Sequence, residues 1–298
     1  MDLLCWYRLW SYRRNYMEVV KKMAAKYDAS SIKSLKDDRE RLRLRPSVYI
    51  IDTYAAGALH IIFEIVDNSI DELGIKDPVG NNLTVTFDTK TKEVTVVDDG
   101  RGIPHESLYN VCTVLNTSGK FETGEDAVYQ NPGGLNGIGF KTAVYLSKRC
   151  EVTSIRDGKS LTYKFEDGIL KDTIRSKAKG HGTITKFTID NKLVEINAVE
   201  PGDIKNRLKE KSYCFPDINM IYTIMENGKE VKSHKFCGED LFDLLKSKKP
   251  DTGIVKVHST EKQTILRNIS DDDVTTMKIE VQAAISMKDD ALDADTDA

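Results

Sequence analysis

Hydrophobic residues recur at helical spacing in one long segment of the chain. Residues 58–73, ALHIIFEIVDNSIDEL, place six apolar side chains on one side of a helix: Leu59, Ile62, Phe63, Val66, Ile70 and Leu73. Steps of about 100° per residue bring a second, polar set together on the opposite side. That set is Glu64, Asn68, Asp71 and Glu72, with Asp67 beside them. The pattern predicts an amphipathic helix whose polar face is available for chemistry.

The polar face of this helix allows two interpretations. Most amphipathic helices simply turn their charged face to solvent. An amide oxygen one turn from a carboxylate, as in Asn68 and Glu64, also suits a hard cation with oxygen ligands. The carboxylate would then be placed to polarise a water molecule. The helix alone does not decide between them.

Shorter segments alternate between apolar and polar residues, which predicts strands. Residues 83–87 and 93–97 flank a Thr-Lys-rich turn and predict a hairpin. Two further hairpins are predicted around Asp-Gly-Lys and Asn-Gly-Lys turns, within 151–165 and 220–236. A separate strand is predicted at 182–189. Helices are predicted at three more places: 105–116, about 137–148 and 203–213.

Composition limits the class of protein. The 298 residues are 40% hydrophobic and 31% charged, which is enough apolar material for a folded core. No run of apolar residues is long enough to predict a membrane span. The five cysteines are scattered and form no C-x-x-C pair, so we expect neither a disulfide framework nor a zinc site. We therefore expect a reducing, cytoplasmic setting. The net charge of -3 does not predict a polyanion-binding chain.

The two ends of the chain differ from its middle. Residues 1–26 contain an apolar run that is interrupted by Arg8, Arg13 and Arg14, and no small-residue cleavage site follows. We interpret them as an N-terminal extension rather than a targeting segment. Residues 289–298 combine aspartates with small residues and lack any core-forming pattern, so we expect a disordered acidic tail.

A carboxylate and two glycines follow directly after the second predicted strand. The segment 98–104 reads DDGRGIP, and a turn would account for its glycines and proline. A carboxylate at the end of a buried strand, however, can accept a hydrogen bond from an exocyclic amine. Glycines would let the backbone approach a flat ring closely. Both interpretations stay open on these residues alone.

A glycine-rich segment, GGLNGIG at 133–139, opens the next predicted helix. Free N–H groups and a helix N-terminus together favour polyphosphate binding. The spacing does not match G-x-x-x-x-G-K-[ST], and no strand leads directly into the segment. Both the P-loop and the Rossmann interpretations are therefore disfavoured. Lys120, just upstream in SGKF, either adds a cation to the phosphates or lies exposed.

Taken in order, these segments resemble the four nucleotide-binding motifs of the GHKL ATPases. That superfamily covers gyrase, heat-shock chaperone, histidine kinase and mismatch-repair ATPases. The motifs are E-x-x-x-N at 64–68, D-x-G-x-G at 98–102, G-x-x-G-x-G at 134–139 and Gly-Thr at 182–183. Finer features are similar to the ATPase domain of the B subunit of type IIA DNA topoisomerases, meaning gyrase and topoisomerase IV. They include YDASSIKSL at 27–35, FEIVDNSIDE at 63–72 and VVDDGRGIP at 96–104.

The resemblance implies a fold, two cofactors and several residue roles. The implied fold is α+β, a two-layer Bergerat ATP-binding sandwich with a mixed sheet and helices on one face, plus the start of a transducer domain. The implied cofactors are ATP and Mg²⁺. Glu64 resembles the general base, Asn68 the magnesium ligand, and Asp98 the acid that binds the adenine amino group. Thr183 resembles the residue that supports this acid through a water.

The other residues expected to contact nucleotide lie in the same motifs or in the lid that closes over the phosphates. They are Tyr27, Asp71, Glu72, Arg101, Gly102, Ile103, Pro104, Lys120, Tyr129, Gly133, Gly134, Leu135, Asn136, Gly137, Ile138 and Gly139. Tyr27 matches an arm tyrosine that contacts nucleotide in the partner subunit. The resemblance therefore implies an ATP-dependent homodimer, with the topoisomerase A subunit, the remaining B-subunit domains and DNA as further partners, and no membrane.

The resemblance also sets the expected domain organisation and function. The expected boundaries are an extension at 1–26, the ATPase domain with its arm at 27–238, a partial transducer at 239–288 and the tail at 289–298. The expected function is ATP hydrolysis that drives dimer closure in a type II topoisomerase. The alternatives are a truncated or regulatory ATP-binding module and a mismatch-repair-type ATPase. The segments RPSVYII at 45–51 and GGLNGIG depart from the bacterial pattern, so we expect an altered lid geometry.

Overall fold

The computed structural model describes residues 37–120, 128–129, 137–240 and 243, together with the backbone of strands at 253–266 and 274–287. The chain divides into two compact units, Met1–Lys36 and Asp37–Ala298, and the described residues all belong to the second. The predicted extension, Tyr27, residues 133–136 and the predicted tail lie outside the described residues.

The described part of the chain contains five α-helices and ten strands. The helices are α1 (Asp38–Leu44), α2 (Ala55–Leu73), α3 (His105–Thr113), α4 (Gly139–Tyr145) and α5 (Pro201–Cys214). The strands are β1 (Asn82–Asp88), β2 (Val94–Asp98), β3 (Ser147–Arg156), β4 (Lys159–Glu166), β5 (Ile169–Lys177), β6 (Gly182–Ile189), β7 (Asn219–Glu226), β8 (Lys229–Phe236), β9 (Gly253–Leu266) and β10 (Val274–Met287). Short 3₁₀ turns lie at Pro46–Val48 and Ile196–Ala198.

Strands β1 to β8 form one mixed sheet in the order β5-β4-β3-β6-β2-β1-β7-β8. Neighbours pair antiparallel except β1 and β7, which run parallel. A parallel pair needs a long crossover connection, and α5 lies in that connection just before β7. β9 and β10 pair with each other as an antiparallel hairpin. The predicted α+β architecture with a mixed sheet is confirmed.

One face of this sheet carries the helices and the core. On β1 the side chains of Leu83, Val85 and Phe87 are fully buried, and the residues between them are only partly covered. α2 packs on β1, β2 and β6, α4 on β3 and β6, and α5 on β7 and β8. The apolar stripe of α2, including Ile62 and Val66, lies in this core. The predicted two-layer sandwich is therefore confirmed.

Tight Asx-Gly turns set the register of three hairpins. Positive φ angles at both turn residues occur at Asp157-Gly158, Asp167-Gly168 and Asn227-Gly228, as type I′ turns require. The first and third turns join the hairpins predicted from the sequence. The second joins β4 to β5, a strand that the sequence analysis did not predict.

Two predicted helices are shorter in the structure, and one helix was not predicted. α3 ends at Thr113, and α4 covers only Gly139–Tyr145 because β3 begins at Ser147. α1 was missed although the Asp37 side chain caps it by accepting from the Arg39 N–H at 2.9 Å. β9 and β10 both lie within residues 239–288, the segment expected to begin a transducer domain.

Candidate functional site

A cavity of about 710 Å³ lies beside the polar face of α2. Its walls come from α2, from the loop after β2, from the start of α4, and from residues 117–120 and 128–129. Fourteen of the predicted site residues line it: Glu64, Asn68, Glu72, Asp98, Arg101, Gly102, Ile103, Pro104, Lys120, Tyr129, Gly137, Ile138, Gly139 and Thr183. Asp71 does not line the cavity but contacts Lys120, which does. Tyr27, Gly133, Gly134, Leu135 and Asn136 lie outside the described residues.

Asp98 is a buried carboxylate at the end of β2. Its Oδ2 accepts the Ser69 hydroxyl at 2.7 Å, and its Oδ1 accepts the backbone N–H groups of Gly100 at 3.1 Å and Thr183 at 3.2 Å. Burial raises the pKa of Asp98 to about 6, because these hydrogen bonds offset only part of the lost hydration. Thr183 thus reaches the carboxylate directly through its backbone.

The backbone at Asp98 lies very close to the start of β6, the neighbouring strand in the sheet. Gly182, the first residue of β6, has φ of 136°, and a Cβ at this position would overlap the backbone oxygen of Asp98. Glycine therefore allows β6 to deliver the Thr183 N–H to the Asp98 carboxylate. His181 fixes the loop after β2, because its Nδ1 lies 2.8 Å from the Asp99 oxygen and 2.9 Å from the Gly100 oxygen.

Glu64 extends from the polar face of α2 toward the start of α4. Its Oε1 lies 3.1 Å from the Nε2 of His60, one turn earlier on the same helix. A Cβ at Gly139 would overlap Glu64 Oε2, so glycine lets the N-terminus of α4 approach the carboxylate. His60 was not predicted as a site residue, although its spacing of four residues from Glu64 is a visible signal.

Asn68 and Asp71 hold the ammonium of Lys120. Lys120 Nζ lies 2.7 Å from Asn68 Oδ1 and 2.6 Å from Asp71 Oδ2. The amide group of Asn68 is oriented by its own Nδ2, which donates to the backbone oxygen of Glu64 at 2.7 Å. The two oxygens of α2 thus already accept a positive charge.

Glu72 binds Arg101 and Tyr129 at another part of the cavity wall. Arg101 donates from Nε and Nη2 to the two carboxylate oxygens, each at 2.8 Å, and the Tyr129 hydroxyl donates to Oε2 at 2.7 Å. Burial alone would raise the pKa of Glu72, but these hydrogen bonds outweigh it and hold the pKa below its ordinary value.

Lys141 is a buried cavity residue that the sequence analysis missed. It lies in α4, is 1% exposed, and donates from Nζ to the backbone oxygen of Thr117 at 2.8 Å. Burial lowers the pKa of Lys141 to about 8. The available signal was a lysine among apolar neighbours on a predicted helix, between Phe140 and Ala143.

Within the described residues, no group of three or more histidine, cysteine, aspartate or glutamate side chains could hold a metal ion. Across the same part of the chain, no helix is long and apolar enough to cross a membrane.

Known proteins show similarity to this chain. The profile of the histidine kinase-, DNA gyrase B- and HSP90-like ATPase family matches residues 54–193. The B subunit of DNA topoisomerase 4 from Mycoplasma genitalium is 34% identical over 221 residues, which cover 70% of this chain and 33% of that protein. The B subunit of DNA gyrase from Thermotoga maritima is 34% identical over 252 residues, covering 80% and 38%. The B subunit of DNA gyrase from Mycoplasma genitalium is 33% identical over 275 residues, covering 86% and 40%, so the chain spans well under half of these relatives.

Proposed function

Because this chain belongs, through residues 54–193, to the histidine kinase-, DNA gyrase B- and HSP90-like ATPase family, we propose that it is the ATP-hydrolysing part of a type II DNA topoisomerase. The observation that carries the proposal is the cavity beside α2, where the buried Asp98 carboxylate and the Glu64 carboxylate line one space. The relatives named as gyrase and topoisomerase IV B subunits support the choice of enzyme.

Asp98 is proposed to recognise the adenine amino group. Three N–H and O–H donors hold the carboxylate in a fixed orientation, and its remaining acceptor capacity faces the cavity. Once ionised, a carboxylate can accept hydrogen bonds but cannot donate them, so it selects an exocyclic amine over a carbonyl oxygen. This chemistry favours adenine over guanine nucleotides, because guanine presents a carbonyl at the corresponding ring position.

Glu64 is proposed to act as the general base, with His60 as its positioning residue. The carboxylate would accept a proton from the attacking water, and the His60 ring at 3.1 Å would fix the carboxylate rotamer. In-line phosphoryl transfer needs positioning and charge neutralisation more than covalent chemistry. The N–H groups at the start of α4 and the ammonium groups of Lys120 and Lys141 are among the nearby sources of positive charge.

Asn68 is proposed to hold Mg²⁺ through Oδ1. Its oxygen and that of Asp71 already accept an ammonium, so this donor set fits a hard cation. Bound Mg²⁺ would neutralise the charge of the phosphate oxygens during transfer. The remaining predicted contacts, including Tyr27 and residues 133–136, belong to the same proposal.

The assembly and domain organisation are also proposals. We propose that the chain dimerises through the arm that contains Tyr27 and works with a topoisomerase A subunit, the remaining B-subunit domains and DNA. The relatives are named as B subunits, and the chain spans only 33% to 40% of those relatives. The boundaries at 27–238 and 239–288 follow from the same resemblance.

A comparison of the wild-type chain with Glu64→Ala tests the proposed activity. We expect the variant to keep its affinity for a non-hydrolysable ATP analogue while phosphate release falls by about 10²- to 10⁴-fold. Glu151→Ala, a half-buried position on β3 that does not line the cavity, is the matched control and should leave both unchanged.

The results separate the alternatives. Failure of the wild-type chain to bind the analogue would contradict the proposal. Binding without hydrolysis, even after the remaining B-subunit domains are added, would instead favour a regulatory ATP-binding module. Relaxation of DNA by the chain alone would contradict its role as the ATPase part of a larger enzyme.

A further inference from the structure

The ammonium of Lys120 occupies a position between two oxygens of α2. It lies 2.6 Å from Asp71 Oδ2 and 2.7 Å from Asn68 Oδ1. The Lys120 and Asp71 side chains are only 10% and 6% exposed, so this ion pair is shielded from solvent. The Tyr129 ring lies on the same ammonium, with its centroid 5.8 Å from Nζ. Lys120 is thus held by several groups rather than extended into water.

The Asn68 oxygen has a fixed direction toward this ammonium. Because Asn68 Nδ2 donates to the Glu64 backbone oxygen, the amide cannot rotate without losing that bond. Any cation that binds Asn68 Oδ1 must therefore approach from the side that Lys120 Nζ occupies. Two positive ions cannot share this space, since their repulsion in a shielded site is large.

From this geometry we infer that Lys120 is an internal cation that occupies the divalent-ion position of Asn68 and Asp71 until a metal–nucleotide complex displaces it. The inference rests on the proposed function for the identity of that complex. The competition between the Lys120 ammonium and a divalent ion for the oxygens of Asn68 and Asp71 does not depend on that identity. The site would thereby stay neutralised without metal, and metal would enter together with phosphates that can receive the released ammonium.

The inference predicts a site for free metal once the ammonium is removed. In Lys120→Met, the Asp71 carboxylate loses this counter-charge and the Asn68 oxygen loses its donor. A divalent ion should then bind these oxygens without any nucleotide. We expect Mn²⁺ to bind the variant about tenfold or more tightly than it binds the wild-type chain, because a buried carboxylate strongly favours a nearby cation.

Mn²⁺ titration of the nucleotide-free chain, followed by electron paramagnetic resonance of the free ion, measures this directly. Lys120→Arg keeps a cation in place and should bind Mn²⁺ as weakly as wild type. Lys148→Gln removes an exposed lysine elsewhere and is the matched control. Adding Asp71→Asn to Lys120→Met should abolish the gained affinity. Equal Mn²⁺ affinity in Lys120→Met and wild type, or a gain that survives Asp71→Asn, would overturn the inference.

Two further measurements distinguish a failure of the Lys120 inference from misfolding of the variant and from a failure of the proposed function. Circular dichroism establishes whether Lys120→Met is folded; if it is not, Lys120→Gln carries the same comparison, since it also removes the ammonium but keeps a polar side chain. Binding of the ATP analogue to wild type is measured in parallel. A gain of Mn²⁺ affinity without analogue binding would refute the proposed function and leave the Lys120 inference standing. Analogue binding without a gain of Mn²⁺ affinity would refute the Lys120 inference and leave the proposed function standing.

Discussion

Replacing Asp98 with asparagine should stabilise the protein while weakening nucleotide binding. The carboxylate is 6% exposed, and burial raises its pKa from 3.8 to about 6. This rise corresponds to about 3 kcal/mol of unfavourable free energy for the ionised form in the folded state. Asparagine carries no such charge, and its oxygen can still accept the backbone N–H groups of Gly100 and Thr183. The variant should therefore be more stable than wild type at neutral pH.

The pH dependence gives the sign of the effect. Because the folded-state pKa of Asp98 lies above the unfolded value of 3.8, its contribution to stability is complete below that pH and is lost as the pH rises through about 6. Asparagine does not titrate. As the pH rises from about 4 to about 7, the free energy of unfolding of Asp98→Asn should therefore increase relative to that of wild type by up to about 3 kcal/mol. Above that range the difference should be constant.

Urea unfolding followed by circular dichroism, at several pH values across this range, measures the difference. Calorimetry with the ATP analogue should show binding weaker by about 1.5 to 3 kcal/mol, the cost of losing a hydrogen bond to a charged group. Asp172→Asn, on exposed strand β5, serves as the control. A stability difference that does not change with pH would refute the burial argument. Unchanged analogue affinity would place adenine recognition elsewhere.

Three further substitutions test other parts of the site. Gly139→Ala should displace the Glu64 carboxylate, because the new Cβ would overlap Oε2, and lower phosphate release by about 10²-fold or more; wild-type turnover would contradict this close approach. Tyr129→Phe should lower the free energy of unfolding by about 1 kcal/mol through the lost bond to Glu72, and an unchanged urea midpoint would argue that this bond is not stabilising. Lys141→Met removes an ammonium whose pKa burial lowers from 10.5 to about 8. The free energy of unfolding of wild type should therefore rise relative to that of the variant as the pH increases from about 8 to about 10.5, and a pH-independent difference in urea unfolding would contradict this.

The sequence predicted those features that depend on local spacing. The polar face of α2 follows from positions within about two turns of one helix, so Glu64, Asn68, Asp71 and Glu72 could be grouped from their spacing alone. The hairpins with Asp-Gly and Asn-Gly turns were predictable for the same reason. β5 follows the same kind of turn, at Asp167-Gly168, and applying the rule there as well would have predicted it.

The partners of these residues could not be predicted, because the chain brings them from far away. Lys120 contacts Asn68 across 52 residues of sequence, and Arg101 contacts Glu72 across 29. Motif resemblance placed Lys120 near phosphates, yet the structure pairs it with two oxygens of α2. The length of α4 was also overestimated, since its end is set by the start of β3, a tertiary constraint with no local signal.

The buried charges of the cavity act against folding. Burial shifts the pKa of Asp98 upward and that of Lys141 downward, and both directions mean that the charged form is less favourable in the folded protein. The apolar stripe of α2, with Phe63 and Val66 fully buried against the sheet, supplies the opposing stabilisation on the same helix that carries Glu64. A ligand that donates to Asp98 would lower the cost of its charge, so binding energy and stability are coupled through the same carboxylate. This coupling explains why substitutions that stabilise the empty cavity are expected to weaken nucleotide binding.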